Sequence, residues 1–307
     1  MKPGTESLVP SGTTVLVSGF DLALEGRGGL FAWDGHQLTK IDDVNTTGMR
    51  MHGDDLLRCA WNTERDHADL VVTGIDGRSR TARLDGVGNP HDILPDEGHL
   101  VAVVATEQNE IVWFRRDGRH MRTWRPESTA ESDSWHLNSL VRHQGRLLVG
   151  AFGRFTQRKE WDLLGKPASG CIVDVDSGAV VLNGLRAPHT PRFVDGRWLV
   201  CNSADGELIA VDSEQQHTVL AKFDGWPRGL LVTPRAVFVG ISPDRKDLRT
   251  AAATSRVVAL DPTSWETLAE VEVAAREIYD LVLAPRTLIA AMSTASIRNR
   301  TSSKTGR

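Results

Sequence analysis

Three of the ten histidines in this chain, His91, His136 and His189, stand at the start of short apolar runs and are set far apart in sequence. Three neutral imidazoles and a water make a catalytic-type site for zinc or a similar ion. The same side chains, taken singly, titrate near neutrality and can move protons without a metal. Other reactive groups open similar runs. Glu277, Tyr279 and Asp280 begin one, and Arg228 lies in another. A base, an acid and a cation in one apolar-walled mouth suit proton abstraction beside a carboxylate, or elimination. Arg228 could clamp a carboxylate or phosphate through a bidentate contact. It could equally be held in a salt bridge with Glu277 or Asp280. The bland reading of the histidines is a polar lining bonded to water and neighbouring loops. The other seven histidines fall in turns or on outer strands.

The elements that must bring these residues together can be read from repetition. Six stretches share one grammar: a polar opening, an apolar strand, a turn and a second apolar strand. They are Asn45 to Cys59, Asn89 to Val104, Ser134 to Gly150, His189 to Cys201, Trp226 to Gly240 and Glu277 to Ala290. Their starts are roughly 37 to 53 residues apart, near the period of propeller blades, each a four-stranded sheet. Aligned by their apolar strands, the six starts give two polar columns. One holds Asn45, Asn89, His136, His189, Trp226 and Glu277, the other Thr47, His91, Asn138, Pro191, Arg228 and Tyr279. Residues two apart on a strand share a face, so both columns are expected at one mouth of a central channel. In this alignment His91 sits one strand repeat, about 6.6 Å, from the level of His136 and His189.

The chain therefore reads as an all-β, six-bladed propeller closed by strands from both termini, over residues 13–292. Residues 1–12 are expected to be a flexible arm and residues 293–307 a disordered basic tail. Asp34-Gly35, Asp76-Gly77 and Asp117-Gly118 mark hairpin turns between third and fourth strands. The first blade has three strands of its own and needs a fourth. Ile278 to Leu283 can supply it as the inner strand, which removes the open sheet edge. Thr287 to Met292 is read as a strand competing with Thr14 to Ser18 for one place. Two long basic loops join second to third strands on the site face. Phe152 to Gly170 carries Arg154, Arg158, Lys159, Trp161 and Lys166, and Ser242 to Ser255 carries Asp244 to Arg249. Long loops on a rigid ring are where binding surfaces usually form.

A formal net charge of −4 and a pI near 6.2 give no basic surface for nucleic acid or membrane. No apolar run approaches the roughly 18 residues of a membrane span, and the opening residues are no secretory signal. Cys59, Cys171 and Cys201, odd in number and without a CxxC pair, read as free buried thiols in a cytoplasmic protein. No glycine-rich phosphate loop or GxSxG elbow occurs, and no organic cofactor is expected.

From Ser134 onward a resemblance becomes visible. Trp135-His136-Leu137-Asn138, Pro188-His189-Thr190-Pro191-Arg192, Asn202-Ser203, Trp226-Pro227-Arg228-Gly229-Leu230, Val239-Gly240-Ile241-Ser242 and Glu277-Ile278-Tyr279-Asp280 resemble a bacterial family of propellers carrying a domain of unknown function. That family shows PHSPR, FPRGL, VGLS and EIYD steps in this order. The resemblance covers residues 134–284 and implies the fold and the weight of these positions, without naming a reaction. Asn89-Pro90-His91-Asp92 and Pro188-His189 also resemble the steps of six-bladed lyases such as virginiamycin B lyase. Those are similar to gluconolactonases, whose sites sit at the channel mouth around a metal.

The function expected is a small-molecule enzyme, a lyase, isomerase or cyclase, or hydrolase, acting on an anionic or polar substrate. His91, His136 and His189 are the candidate metal ligands or acid–base groups, with zinc, manganese or calcium as the metal. Glu277 or Tyr279 would assist proton transfer. Arg228, Asn138, Trp135, Trp226, Asn202 and Arg192 are the candidate substrate contacts. The alternative is a non-catalytic binding or scaffold propeller for a carbohydrate or protein partner, and Trp135, Trp161 and Trp226 would favour a glycan.

Overall fold

In the computed structural model, residues 7–21, 27–61, 67–126, 132–243 and 254–294 are described. They form six four-stranded antiparallel sheets, each an up-and-down blade. Five blades take their strands in chain order. The first is completed by Glu277–Pro285, which pairs as inner strand with Thr13–Phe20. Closure by strands from both ends is thus as the sequence indicates.

Each blade junction has its own apolar core, which explains the near-continuous apolar second strands. In Leu100–Ala105, Val101, Val103 and Ala105 face blade two, while Ala102 and Val104 face blade four. Successive side chains point to opposite faces, and here both faces are buried. Outer strands such as His120–Trp124 are mostly exposed. Cys59, Cys171 and Cys201 are free and buried, and burial pushes their thiols up to about 12, 11 and 12.

The structure corrects the reading of Thr287 to Met292. Residues 286–294 are helical. Leu288 and Met292, one turn apart, are buried against Leu16, Met49 and Leu56 at the junction of blades one and two. This helix also reaches the turn of blade two, where a Cβ on Gly77 would lie 2.3 Å from the Ala291 carbonyl carbon. The charged segment 244–249 lies outside the described residues, as do residues 1–6 and 295–307 of the expected arm and tail.

One departure from ideal strands positions the site. The inner strands of blades one, two, three, five and six each gain a residue against their neighbour. Such a bulge breaks the strict alternation that the two polar columns assumed. Gly48 lies in the bulge of Thr46–His52, where a Cβ would meet the Asp92 Cα and the Ile93 nitrogen at 2.6 Å. Both are backbone atoms of the next inner strand and cannot swing aside. Gly48→Ala is expected to cost about 1–3 kcal/mol by overpacking, measured as a lowered midpoint of urea unfolding.

Candidate active site

The inner strands run from the site face through the channel, and their side chains make two polar layers. In the upper layer the His91 and His136 ring centroids are 5.0 Å apart, His91 and His189 6.5 Å, and His91 and Tyr279 5.2 Å. The Arg228 guanidinium lies 5.2 Å from the Tyr279 ring centroid and is ion-paired with Glu277. All six groups are buried.

His91 and His189 occupy equivalent places, which corrects the expected difference in depth. Pro90 pairs with Ala105 and Pro188 with Asn202, one residue before Thr106 and Ser203. Those two hydroxyls hold the rings in the same way. Thr106 Oγ1 lies 2.9 Å from His91 Nδ1 and donates to the Leu137 carbonyl at 2.6 Å. Ser203 Oγ lies 2.8 Å from His189 Nδ1 and donates to the Pro227 carbonyl. A hydroxyl has one hydrogen, so each must accept from the imidazole. The carbonyls of Asn89 and Ala187, 3.2 Å from the same Nδ1 atoms, can only accept as well. Both residues have left-handed backbone, φ 48° and 49°, two positions before their histidine. His91 and His189 therefore carry a proton on Nδ1, which in the neutral ring leaves the lone pair on Nε2.

The Nδ1 proton of His136 is fixed by another route. Its Nδ1 lies 2.7 Å from Asp133 Oδ1, and a carboxylate only accepts. Asp133 is buried, and its backbone carbonyl accepts from Lys159 N at 3.1 Å and Trp161 Nε1 at 3.0 Å. The long loop of blade four, with the short helix Glu160–Leu163, is thereby fastened to the residue that orients His136. Phe152 and Trp161 pack on the His136 ring with centroids 4.1 and 4.4 Å away. Burial, then the charge of Arg228 and the two other imidazoles, holds His189 well below the ordinary imidazole range. Its Nε2 is buried and finds no hydrogen-bond partner among the described residues.

Above this cluster lies a cavity of about 560 Å³. His136 and Arg228 are part of its lining, with Phe152, Trp161, Trp226, Lys159, Lys166 and Arg186 around them. Lys166 Nζ stands 5.8 Å from the Trp161 centroid and 5.6 Å from that of Trp226. The walls thus offer aromatic faces to a guest, and their cations stand in ion pairs, Lys166 with Asp162 of the same wall, Arg186 with Asp205 and Arg228 with Glu277.

The remaining candidates are placed elsewhere. Trp135 is buried in the core of blades three and four, not on a rim. Asn138 donates to the His136 carbonyl at 3.1 Å and accepts from Ser139 at 2.7 Å, bracing the start of its strand. Asn202 accepts from Arg186 N at 2.6 Å and donates to Asp205 at 2.8 Å. Arg192 belongs to the lower layer, with Arg50, Asp92 and Asp280. There Arg50 spans both carboxylates, bonding Asp92 at 2.9 Å and Asp280 at its other terminal nitrogen. Asp92 also accepts from the Leu140 and Ile93 amides, both at 2.8 Å. Asp280 accepts from those of Met49 and Leu281, at 3.1 and 3.0 Å. Asp92 is thus part of a buried ion layer and is turned to Arg50. Among the described residues no group of three or more His, Cys, Asp or Glu side chains is arranged to hold a metal ion. Sequence reading missed Asp133, Thr106, Ser203 and Arg50.

Residues 78–292 match the family described as "Domain of unknown function (DUF4915)". The chain belongs to that family. Among solved structures it is similar to a chain of the nidogen/laminin complex, with a TM-score of 0.63 and 12% identity, over 89% of this chain and 98% of that one. It is also similar to a candidate 6-phosphogluconolactonase of Bacteroides fragilis, with a TM-score of 0.60 and 10% identity, over 92% and 100%. At these identities the likeness is one of fold. A further likeness, 28% identical over 127 residues, joins 34% of this chain to 69% of the large ribosomal subunit protein uL6 of Parvibaculum lavamentivorans. No helix of the described residues is long and apolar enough to cross a membrane.

Proposed function

We propose that the protein is a small-molecule enzyme doing acid–base chemistry at the channel mouth. The observation that carries this is His136, its Nδ1 fixed on Asp133 and its ring on the lining of a cavity that also exposes Arg228. Arg228, Lys166 and Arg186 attract an anionic group, and Trp161 and Trp226 hold the body of the substrate. His136 Nε2 takes a proton from a carbon beside a carboxylate, or from a water that adds to an acyl carbon. In the first case the C–H pair forms a double bond as the leaving group departs, or returns to the other face as an isomerisation. In the second the water oxygen bonds to carbon, the acyl–oxygen bond breaks, and the departing alkoxide takes the proton back. Glu277 holds Arg228 in place, and Tyr279 and His91 close the cluster behind it. His189, kept neutral, adds no positive charge to oppose a proton on His136.

A sugar-acid lactone is a natural first substrate, given the fold shared with the Bacteroides fragilis protein. A second reading, binding without turnover, is favoured by the engagement of Arg228 with Glu277 and by the shared fold with a chain of the nidogen/laminin complex. The two are separated by a panel of phosphorylated and carboxylated lactones, β-hydroxy acids and epimers. The readouts are proton release in weak buffer, alkene absorbance, and exchange by nuclear magnetic resonance. Turnover is expected to fall at least a hundredfold in His136→Ala, and to survive dialysis against EDTA. Saturable binding without turnover, lost in Arg228→Ala, would establish the binding reading. Activity abolished by EDTA and restored by zinc, manganese or calcium would return the metal reading.

A further inference from the structure

The channel has a second mouth. Below the ion layer it opens on the opposite face into a funnel of about 320 Å³. The walls are aliphatic, with Leu94, Leu140, Leu231 and Leu283 on them, and Arg50 and Arg192 also line it. The two cations are not equivalent. Arg50 is spent on Asp92 and Asp280. Arg192 donates to its neighbouring carbonyl, that of Pro191, at 3.1 Å, and its closest carboxylate oxygen, on Asp280, is 3.7 Å away. That is beyond hydrogen-bond reach, and a guanidinium carries five N–H donors. The two carboxylates of the layer turn their oxygens to Arg50 and to backbone amides, which leaves Arg192 with the least compensated charge in the channel. Its side chain remains 23% exposed, on the funnel side. A third cation of the funnel, Arg142, is paired with Asp96.

A largely buried, incompletely paired guanidinium under an aliphatic wall is complementary to one kind of small molecule. The head should carry a single negative charge and present two oxygens to the fork, and the rest should be apolar. A phosphate brings more charge and no surface for the leucines. We infer that the second mouth binds an aliphatic monocarboxylate, its carboxylate bidentate on Arg192 and its chain along Leu231 and Leu283. This site is separate from the upper cavity and does not rest on the activity proposed there.

Titration calorimetry of the full chain with sodium octanoate tests it. One saturable site is expected in the wild type, weakened at least tenfold in Arg192→Gln and unchanged in Arg228→Ala. Excess inorganic phosphate should not compete. Leu231→Asp, at a half-buried wall position, should weaken binding by repulsion without touching the ion layer. It decides the matter if Arg192→Gln is not folded by circular dichroism. No saturable heat in the wild type would overturn the inference. So would equal binding by folded Arg192→Gln or by Leu231→Asp, loss of binding in Arg228→Ala, or displacement of octanoate by phosphate.

Discussion

Replacing Arg50 by methionine is expected to lower the unfolding free energy by about 3–5 kcal/mol, among the larger losses a single substitution can cause. Methionine keeps much of the volume, so the loss is electrostatic. It strands Asp92 and Asp280, both buried, with Arg192 as the remaining cation of the layer among the described residues and no carboxylate contact of it shorter than 3.7 Å. The pH dependence separates this cause from simple loss of packing. In the wild type burial pushes Asp92 up to about 6, against the pull of Arg50. A carboxyl raised on folding stabilises fully below its unfolded value and loses that contribution as pH rises through its folded value. Without Arg50 the Asp92 carboxyl moves further up. The gap between variant and wild type should therefore be wider at about pH 8 than at about pH 5. Urea unfolding at both values reads it, and a pH-independent gap would assign the loss to packing.

Asp133→Asn is expected to lower kcat by about a hundredfold to ten-thousandfold, with little change in KM, on whichever substrate the panel yields. Asp133 does not line the cavity, so it is a positioning residue. An amide at its place can offer an N–H to Nδ1 and turn His136 to the tautomer whose Nε2 carries the hydrogen. The base would then face the substrate with no lone pair. A purely structural role would lower stability without altering the tautomer. The nitrogen-15 shifts of the His136 imidazole distinguish the two, since Nδ1–H should dominate in the wild type and Nε2–H in the variant. Unchanged shifts together with an unchanged kcat would remove Asp133 from the mechanism.

Much of this architecture was legible because propeller turns and strands are local signals. Asp-Gly at the hairpins and doubly buried strands such as Leu100–Ala105 needed no long-range knowledge. The histidines, Arg228, Glu277 and Tyr279 could be found because each opens an inner strand or, like His136, stands just ahead of one. What stayed hidden depended on register. His91 and His189, equivalent in space, looked staggered because Asn89 was set level with His189 instead of matching the two Pro-His steps, and the extra residue, common to blades three and five, does not separate them. Asp133 precedes its strand, and Thr106 and Ser203 follow the second strands of blades three and five, outside the columns inspected. Their signal was the recurrence of a hydroxyl residue after the same strand in two blades with a Pro-His opening. The helix at 286–294 was misread because Leu288 and Met292 announce one turn only, too short a window for its period to stand out.

The pairing of Glu277–Pro285 with Thr13–Phe20 bears on how the protein is made. The Ser18 hydroxyl accepts from the Tyr279 amide, 261 residues further along the chain. The earlier strand must therefore wait for one synthesised some 260 residues later. Until that later strand emerges the first blade has an unpaired inner edge, and Val15, Leu16 and Val17 lack part of their final packing. Edges of this kind recruit other strands, and long-range pairing is slow to form. Nascent chains on neighbouring ribosomes are thus competitors for the place that Glu277–Pro285 will take.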